Sequence, residues 1–177
     1  MEFVKFDKIA RLSRNCVITE KIDGTNAQIY IGEDGEFLTG SRNRWITPEN
    51  DNAGFAKWAM ENKKELLKLG HGRHYGEWWG LGIQRRYGLT EKRFSLFNTG
   101  RWNKDNTPDC CHVVPILYSG PFTTYKITET IQGLEKFGSQ ASLGFMNPEG
   151  IVIWHEAARV FLKKTIKNDE KPKGSKE

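Results

Sequence analysis

Thr19-Glu20-Lys21-Ile22-Asp23-Gly24-Thr25-Asn26 places a lysine where a predicted strand runs into a turn. The run before it, Cys16-Val17-Ile18, is apolar and largely β-branched, and residues 26–31 alternate like a second strand. The Asp-Gly pair is a turn signal, so the stretch predicts a hairpin. A lysine there can act as a nucleophile once its ammonium loses a proton, which burial or a neighbouring cation promotes. The stretch alone fits an ordinary hairpin with a solvated lysine equally well.

Length and cysteine content favour a single intracellular domain. The 177 residues suffice for one substantial core. No stretch approaches the roughly 18 apolar residues that span a bilayer, which predicts a cytoplasmic protein without a membrane partner. The three cysteines include the adjacent Cys110 and Cys111, which form a poor disulfide framework and lack the spacing of a zinc site. We therefore expect a reducing compartment and no structural zinc.

The net charge of +5 is concentrated near the C-terminus. The last fifteen residues hold six of the 27 basic residues, so any polyanion-binding surface elsewhere must be local. Residues 167–177 lack large apolar side chains and predict a charged, flexible tail, which leaves residues 1–166 as the folded domain.

Hydrophobic periodicity predicts an α+β fold with antiparallel sheets and flanking helices. Apolar residues recur at helical spacing over residues 51–70, with Asp51 or Asn52 as the cap and Gly70 at the end. A second helix is expected over residues 128–137. The opening twelve residues fit either a short amphipathic helix or a strand and turn. Strands are predicted after the Asp-Gly turn at residues 34–35 and at residues 73–80, 93–98, 113–118, 150–154 and 159–165.

Four segments occur in a fixed order along the chain: Lys21-Ile22-Asp23-Gly24, Gly76-Glu77-Trp78-Trp79-Gly80, Glu149-Gly150-Ile151-Val152-Ile153 and Phe161-Leu162-Lys163-Lys164-Thr165. Together they resemble the covalent nucleotidyltransferase superfamily of polynucleotide ligases and mRNA capping enzymes, and within it the phage-type ATP-dependent RNA ligases. The resemblance covers residues 19–165. It implies a nucleotidyltransferase domain, an ATP-grasp-like ligase catalytic fold, without the OB-fold domain of DNA ligases.

The resemblance implies a covalent mechanism. Lys21 would attack the α-phosphate of ATP to give lysyl-AMP and pyrophosphate. The AMP would then pass to an RNA 5′-phosphate, and a 3′-hydroxyl would displace it to seal the strand. Glu77 matches the acid that binds the ribose. Glu149 matches the acid that helps to hold Mg²⁺ or Mn²⁺, which neutralises charge on phosphoryl oxygens.

Two further motifs match less closely. Phe97 matches the aromatic residue that stacks on adenine, but Asn98 stands where relatives often carry an acid. The fifth motif usually has two lysines separated by one residue, and here Leu162 occupies the first place. Lys164 matches the second place and is the expected α-phosphate contact, whereas Lys163 should face the other side of the strand.

Other candidate contacts follow from the same resemblance. Arg42 matches an arginine that contacts phosphate or the nucleic-acid end, and Asn26 a polar residue near the 5′-phosphate. Glu20 lies where relatives read adenine. Each could equally be a solvated surface residue. The remaining basic residues that could contact a polyanion are Arg85, Arg86, Arg93, Arg101 and the tail lysines.

The resulting hypothesis is an ATP-dependent RNA ligase that acts on RNA 5′-phosphate and 3′-hydroxyl ends. A protein partner could replace the missing C-terminal domain. The alternatives are a minimal ATP-dependent DNA ligase, a GTP-using guanylyltransferase, and a catalytically silent nucleotide- or RNA-binding module.

Overall fold

Two β-sheets and three short helices form the protein, in a computed structural model that describes residues 1–171. The small sheet has the strand order β10-β9-β1-β8, and the large sheet has the order β4-β3-β2-β5-β6-β7. None of the helices in residues 1–171 combines the length and apolar character that crossing a bilayer requires. The strands are β1 (Asn15–Lys21), β2 (Thr25–Ile31), β3 (Phe37–Gly40), β4 (Trp45–Ile46), β5 (Gly72–Gly80), β6 (Lys92–Leu96), β7 (Cys111–Val113), β8 (Ile116–Pro121), β9 (Gly150–His155) and β10 (Val160–Thr165).

The small sheet buries one face against helix α3 (Thr124–Phe137). Alternate residues of the central strand β1, Cys16 and Ile18, enter this core because side chains on a strand alternate between faces. The Thr123 hydroxyl accepts a hydrogen bond from the Lys126 N–H and caps the helix. The helix begins four residues before the predicted position and ends at the predicted residue.

The large sheet packs against α1 (Phe55–Glu61) and α2 (Lys63–Leu66). Helix α1 begins at Phe55 with Gly54 in the cap position, not Asp51 or Asn52 as predicted. Asp51 nevertheless accepts hydrogen bonds from the N–H groups of Ala56 and Lys57 in the first turn. The prediction of one continuous helix was wrong, because the chain breaks at Asn62. Its side-chain amide donates to the Trp58 carbonyl, and a 3₁₀ turn over residues 67–69 completes the segment.

The predicted hairpin around the lysine was also wrong. Strand β1 pairs with β8 and β9, whereas β2 pairs with β3 and β5, so the chain passes from the small sheet to the large one between Lys21 and Thr25. A second crossover divides the predicted strand 113–118 at Pro115, which has no N–H for a ladder. The two crossovers touch in a cluster that we term the junction cluster, formed by Ile22, Trp79, Tyr87 and Val114.

Four other predicted strands are confirmed, whereas the element predicted at the N-terminus is not. Strands β5, β6, β9 and β10 lie within two residues of their predicted bounds, and β7 is an exception to the antiparallel pattern because it pairs in parallel with β6. Residues 1–11 form neither of the expected elements, and Phe3 and Phe6 are exposed. In the predicted tail, Asp169 accepts a hydrogen bond from the Thr165 N–H at 2.8 Å. Residues 172–177 of that tail lie outside the described part of the chain.

Candidate active site

A cleft between the two sheets is lined by Phe97, and three further predicted site residues, Lys21, Glu77 and Glu149, lie together at one end of it. Its walls are the sheet faces that point away from the helices, and the cavity between them encloses about 680 Å³, within the usual range of ligand pockets. Alternate residues of a strand share a face. Lys21, the last residue of β1, and Glu77 on β5 therefore continue the two walls and lie at the same end of the cleft. The side chains that line the cavity from the two walls include Val17, Thr19, Val152, Trp154 and Phe161 on one side and Arg73, Tyr75 and Phe97 on the other.

Lys21 is held in an ion pair at this end of the cleft. Its Nζ donates to Oε2 of Glu149 at 2.7 Å, and the two side chains retain 23% and 9% of their exposure. The contact follows from strand register, because Lys21 pairs with Gly150, the residue after Glu149. The amine is therefore positioned by the backbone of the small sheet and remains reachable from the cleft.

Glu77 fastens the turn that follows Lys21. Its Oε1 accepts from the Gly24 N–H at 3.0 Å, and its Oε2 accepts from Nδ2 of Asn26, the residue opposite it on β2, at 3.2 Å. Burial raises the pKa of Glu77 to about 7, and the charges of Glu149 and Asp23 act in the same direction, against the opposing effect of Lys21. The charge of this carboxyl therefore changes near neutral pH.

Gly24 permits the turn to lie against β5. A Cβ added at this position would collide with the Trp78 carbonyl oxygen and would lie 2.7 Å from Cβ of Trp79. The glycine of the Lys-Ile-Asp-Gly motif is thus required by close approach of two backbones.

Arg85 and Tyr87 hold the turn after Lys21, a role that the sequence did not predict. Nε of Arg85 donates to Oδ2 of Asp23 at 2.9 Å, and its Nη1 donates to the Asn147 carbonyl at 3.1 Å. The Tyr87 hydroxyl accepts from the Asp23 N–H at 2.9 Å. These contacts connect the turn after Lys21 to the loop that leads to Glu149. Arg85 was expected to contact a polyanion, and the structure pairs it with a carboxylate instead.

The loop that carries these two residues has an unusual backbone. Gln84, Arg86 and Tyr87 all have positive φ, at 44°, 59° and 51°. Such conformations are uncommon for residues other than glycine and persist where the surroundings enforce them, often at functional sites. The ring of Tyr87 is buried against Trp79 and Phe145, which raises its pKa and holds the loop in place. The flanking glycines at positions 82 and 88 were the only signal in the sequence.

Phe97 lies where the resemblance predicts an adenine platform. It follows β6, its N–H donates to the Tyr75 carbonyl, and its ring is 38% exposed in the cavity. Val152 lines the same cavity from the small sheet. Asn98 caps the next turn, because its Oδ1 accepts from the Arg101 N–H at 3.1 Å. The stacking role of Phe97 stays a prediction.

The register of β10 reverses the expectation for the two adjacent lysines. Lys163 pairs with Val152, which lines the cleft, whereas Lys164 pairs with Ile151, which is buried beneath α3. Directly paired residues share a face, so Lys163 belongs to the cleft face and Lys164 to the opposite one. Nζ of Lys164 lies 3.3 Å from Oδ2 of Asp169. The preference for Lys164 as the phosphate contact was therefore wrong in its choice of face.

Glu20 points away from the cleft. Its side chain is 1% exposed and accepts hydrogen bonds from the Ser139 hydroxyl at 2.6 Å and from the N–H groups of Gln140 and Ala141. Burial raises the pKa of Glu20. This carboxylate connects β1 to the loop after α3, which contradicts a role of its side chain in reading adenine.

Asn26 lies on the cleft face of the large sheet, opposite Glu77. Arg42 is exposed in the turn between β3 and β4, beyond the last pair between Gln28 and Gly40. Among the other expected polyanion contacts, Arg93 pairs with Glu91, and Arg86 is exposed. Arg101 lines the cavity with its guanidinium 4.7 Å from the centre of the Trp102 ring.

Glu149 is the acid that fits a divalent cation. Residues 1–171 contain no group of three or more histidine, cysteine, aspartate or glutamate side chains that could enclose a metal ion. A Mg²⁺ ion commonly takes one or two carboxylates and completes its shell with water and substrate phosphates. Glu149, a largely buried carboxylate whose Oε2 is paired with Lys21 at the end of a cleft that can admit a nucleotide, fits that pattern. The sulfurs of Cys110 and Cys111 are 3.9 Å apart and unbonded.

Comparison with protein families gives a match for residues 14–168, to the model of the RNA ligase family. The chain belongs to the RNA ligase family. No curated protein matches this RNA ligase family member.

Solved structures match this RNA ligase family member in fold. The Naegleria gruberi RNA ligase with PPi is 22% identical with a TM-score of 0.64, and the match covers 86% of this chain and 50% of that one. A mutant of the same ligase with ATP and Mn is 20% identical with a TM-score of 0.63, over 85% and 48% of the two chains. A mutant with AMP and Mn is 21% identical with a TM-score of 0.62, over 86% and 49%. The chain thus spans about half the length of these structures.

Proposed function

We propose that residues 1–166 form a nucleotidyltransferase domain that carries out ATP-dependent RNA ligation through a lysyl-AMP intermediate. The observation that carries the proposal is the convergence of Lys21, Glu77 and Glu149 at one end of a cleft that can admit a nucleotide. The similar Naegleria gruberi ligase has been described with ATP and Mn, with AMP and Mn, and with PPi, which supports the cofactor assignment.

In the first step, the chain binds ATP along the cleft. Phe97 and Val152 would enclose adenine, and Glu77 would accept a hydrogen bond from a ribose hydroxyl. Lys163 is the cation that the cleft face of β10 offers to the phosphates. Glu149 would hold Mg²⁺ or Mn²⁺ with phosphate oxygens and water, and the bound cation supplies charge neutralisation on the phosphoryl oxygens.

The covalent step exchanges one bond of the α-phosphorus for another. The Lys21 ammonium first loses a proton, and Oε2 of Glu149 at 2.7 Å is the nearest acceptor shown on the chain. The neutral amine attacks the α-phosphorus, a P–N bond forms, and the bond to pyrophosphate breaks. The ion pair and the fastened turn hold the amine in position, which lowers the entropic part of the barrier.

The following steps use an RNA end. The 5′-phosphate attacks the lysyl-AMP phosphorus and releases the Lys21 amine, and a 3′-hydroxyl then attacks the activated phosphate and releases AMP. We assign two residues to the phosphate end: Asn26, which lies next to Glu77, and Arg42, which is exposed in the turn between β3 and β4. The planar guanidinium of Arg42 suits phosphate recognition.

Covalent labelling tests the proposal. Protein incubated with α-labelled ATP and Mg²⁺ should retain the label after denaturation, and Lys21→Ala should retain none. Lys164→Ala is the matched control, because this lysine lies on the opposite sheet face and should label like wild type. Label on Lys21→Ala at the wild-type level would contradict the assignment. Parallel reactions with GTP and NAD test the cofactor, and preferential sealing of nicked DNA over nicked RNA would contradict the RNA assignment.

A further inference from the structure

Three side chains contact one another in the outer part of the large sheet's cleft face, and we term them the arginine shelf: Tyr30, Trp45 and Arg73. Cζ of Arg73 lies 5.1 Å from the centre of the Tyr30 ring and 5.2 Å from the centre of the Trp45 ring. The two ring centres are 6.4 Å apart. The guanidinium therefore contacts both aromatic rings.

The arginine shelf is exposed and carries an unneutralised charge. Trp45 is 43% exposed, and neither aromatic ring belongs to the hydrophobic clusters of the described residues. The hydrogen-bond partner of Arg73 is Oε1 of Gln28, at 3.4 Å from Nη1. Within residues 1–171 no carboxylate forms an ion pair with Arg73, whereas Arg85 and Arg93 each have one. The core does not require these three side chains in this arrangement.

The position of the shelf relates it to the site around Lys21. Arg73 and Glu77 share a face of β5, four residues apart, which corresponds to about 13 Å along a strand. Tyr30 is separated from Asn26 by the same number of residues on the neighbouring strand β2. Arg73 therefore lines the outer part of the cavity, well beyond the expected ribose contact, and the rings of Tyr30 and Trp45 are not among the residues that line it.

We propose that the arginine shelf stacks unpaired bases of an RNA strand whose end is held near Lys21, an inference that rests on the proposed function. Aromatic faces and guanidinium planes stack on any base, which gives binding without sequence preference. The free charge of Arg73 also attracts the phosphate backbone and makes the interaction sensitive to salt. The exposed indole, the stacked guanidinium and the adjoining site together favour a single-stranded polyanion as the occupant.

The test is an anisotropy titration of a fluorescent 5′-phosphorylated single-stranded RNA against wild type and variants. Trp45→Ala and Arg73→Ala should each raise Kd roughly tenfold. Trp45→Phe should restore most of the affinity, because it keeps an aromatic face. The matched control is Tyr125→Ala. Tyr125 is 68% exposed on α3, behind the small sheet, with Nζ of Lys126 5.6 Å from the centre of its ring, and its loss should leave Kd unchanged.

Labelling with α-labelled ATP separates this inference from the proposed function. Trp45→Ala should label like wild type, since Trp45 is not among the residues that line the cavity assigned to the nucleotide. Equal RNA affinity of Trp45→Ala and Tyr125→Ala would overturn the shelf, as would wild-type protein that binds no RNA or loss of labelling in Trp45→Ala. Failure of the wild type to label would instead overturn the proposed function.

Discussion

Glu77 is the residue whose environment sets a pH dependence. It is buried, its two oxygens fasten the turn after Lys21, and its pKa lies near 7 instead of the ordinary 4.5. Between these two pH values the folded state binds more protons than the unfolded state. The free energy of unfolding therefore falls as pH rises through this window, because ionising the buried Glu77 carboxyl costs stability.

Replacing Glu77 with glutamine should stabilise the protein and impair labelling. The amide can still accept from the Gly24 N–H, and the Asn26 side chain can rotate to accept from the new amide group. The gain in the free energy of unfolding over wild type should be larger at pH 8 than at pH 5.5, by about 2 kcal/mol at most. Thermal unfolding at the two pH values measures it. An equal gain at both values would show that the pKa of Glu77 is not raised.

Lys163 and Lys164 provide a second test at the scale of single residues. Because Lys163 lies on the cleft face and Lys164 on the other, Lys163→Ala should slow labelling by ATP while Lys164→Ala should not. Removal of one charge-assisted phosphate contact should cost roughly tenfold in rate or more. Single-turnover labelling of the two variants side by side measures the difference. The reverse order of effects would contradict the strand register.

Among the elements, the strained loop between β5 and β6 positions the turn that carries Lys21. Arg85→Ala removes both its bond to Asp23 and its bond to the Asn147 carbonyl. The labelling rate at saturating ATP should fall roughly tenfold, because a small displacement of a nucleophile costs up to about a hundredfold, with little change in the ATP concentration for half-maximal rate. Arg85→Lys should recover part of the rate. The exposed neighbour Arg86 is the matched control, and an equal effect of Arg86→Ala would contradict the positioning role.

The turn itself depends on glycine. Gly24→Ala should lower the free energy of unfolding by about 1–3 kcal/mol, because the added methyl group meets the backbone of β5. Gly133→Ala in α3 is the matched control, and its expected change in the free energy of unfolding has the opposite sign. A Cβ there meets nothing, so Gly133→Ala should stabilise by about 0.5–1 kcal/mol. Urea unfolding of both variants measures the two changes, and a stabilising Gly24→Ala would contradict the close approach.

At the scale of the whole molecule, the sequence predicted local elements and motif residues better than their partners. Periodicity located most strands, and the family resemblance identified Lys21, Glu77 and Glu149, which the structure brings to one end of the cleft. The sequence could not predict that β1 and β2 belong to different sheets. The alternation of apolar and polar residues along a strand does not depend on which strand pairs with it. The correct face for Lys163 also depended on tertiary pairing.

The position of Lys21, the proposed nucleophile, at a crossover between the sheets has a mechanical consequence. The chain changes sheets twice, and both passages lie in the junction cluster next to Lys21. When two rigid sheets rotate about a shared edge, atoms near that edge move least and distant atoms move most. Any rotation that opens the cleft would therefore separate Phe161 from the arginine shelf more than it separates Lys21 from Glu77. The residues proposed to contact RNA would then move most, and Lys21 would move least.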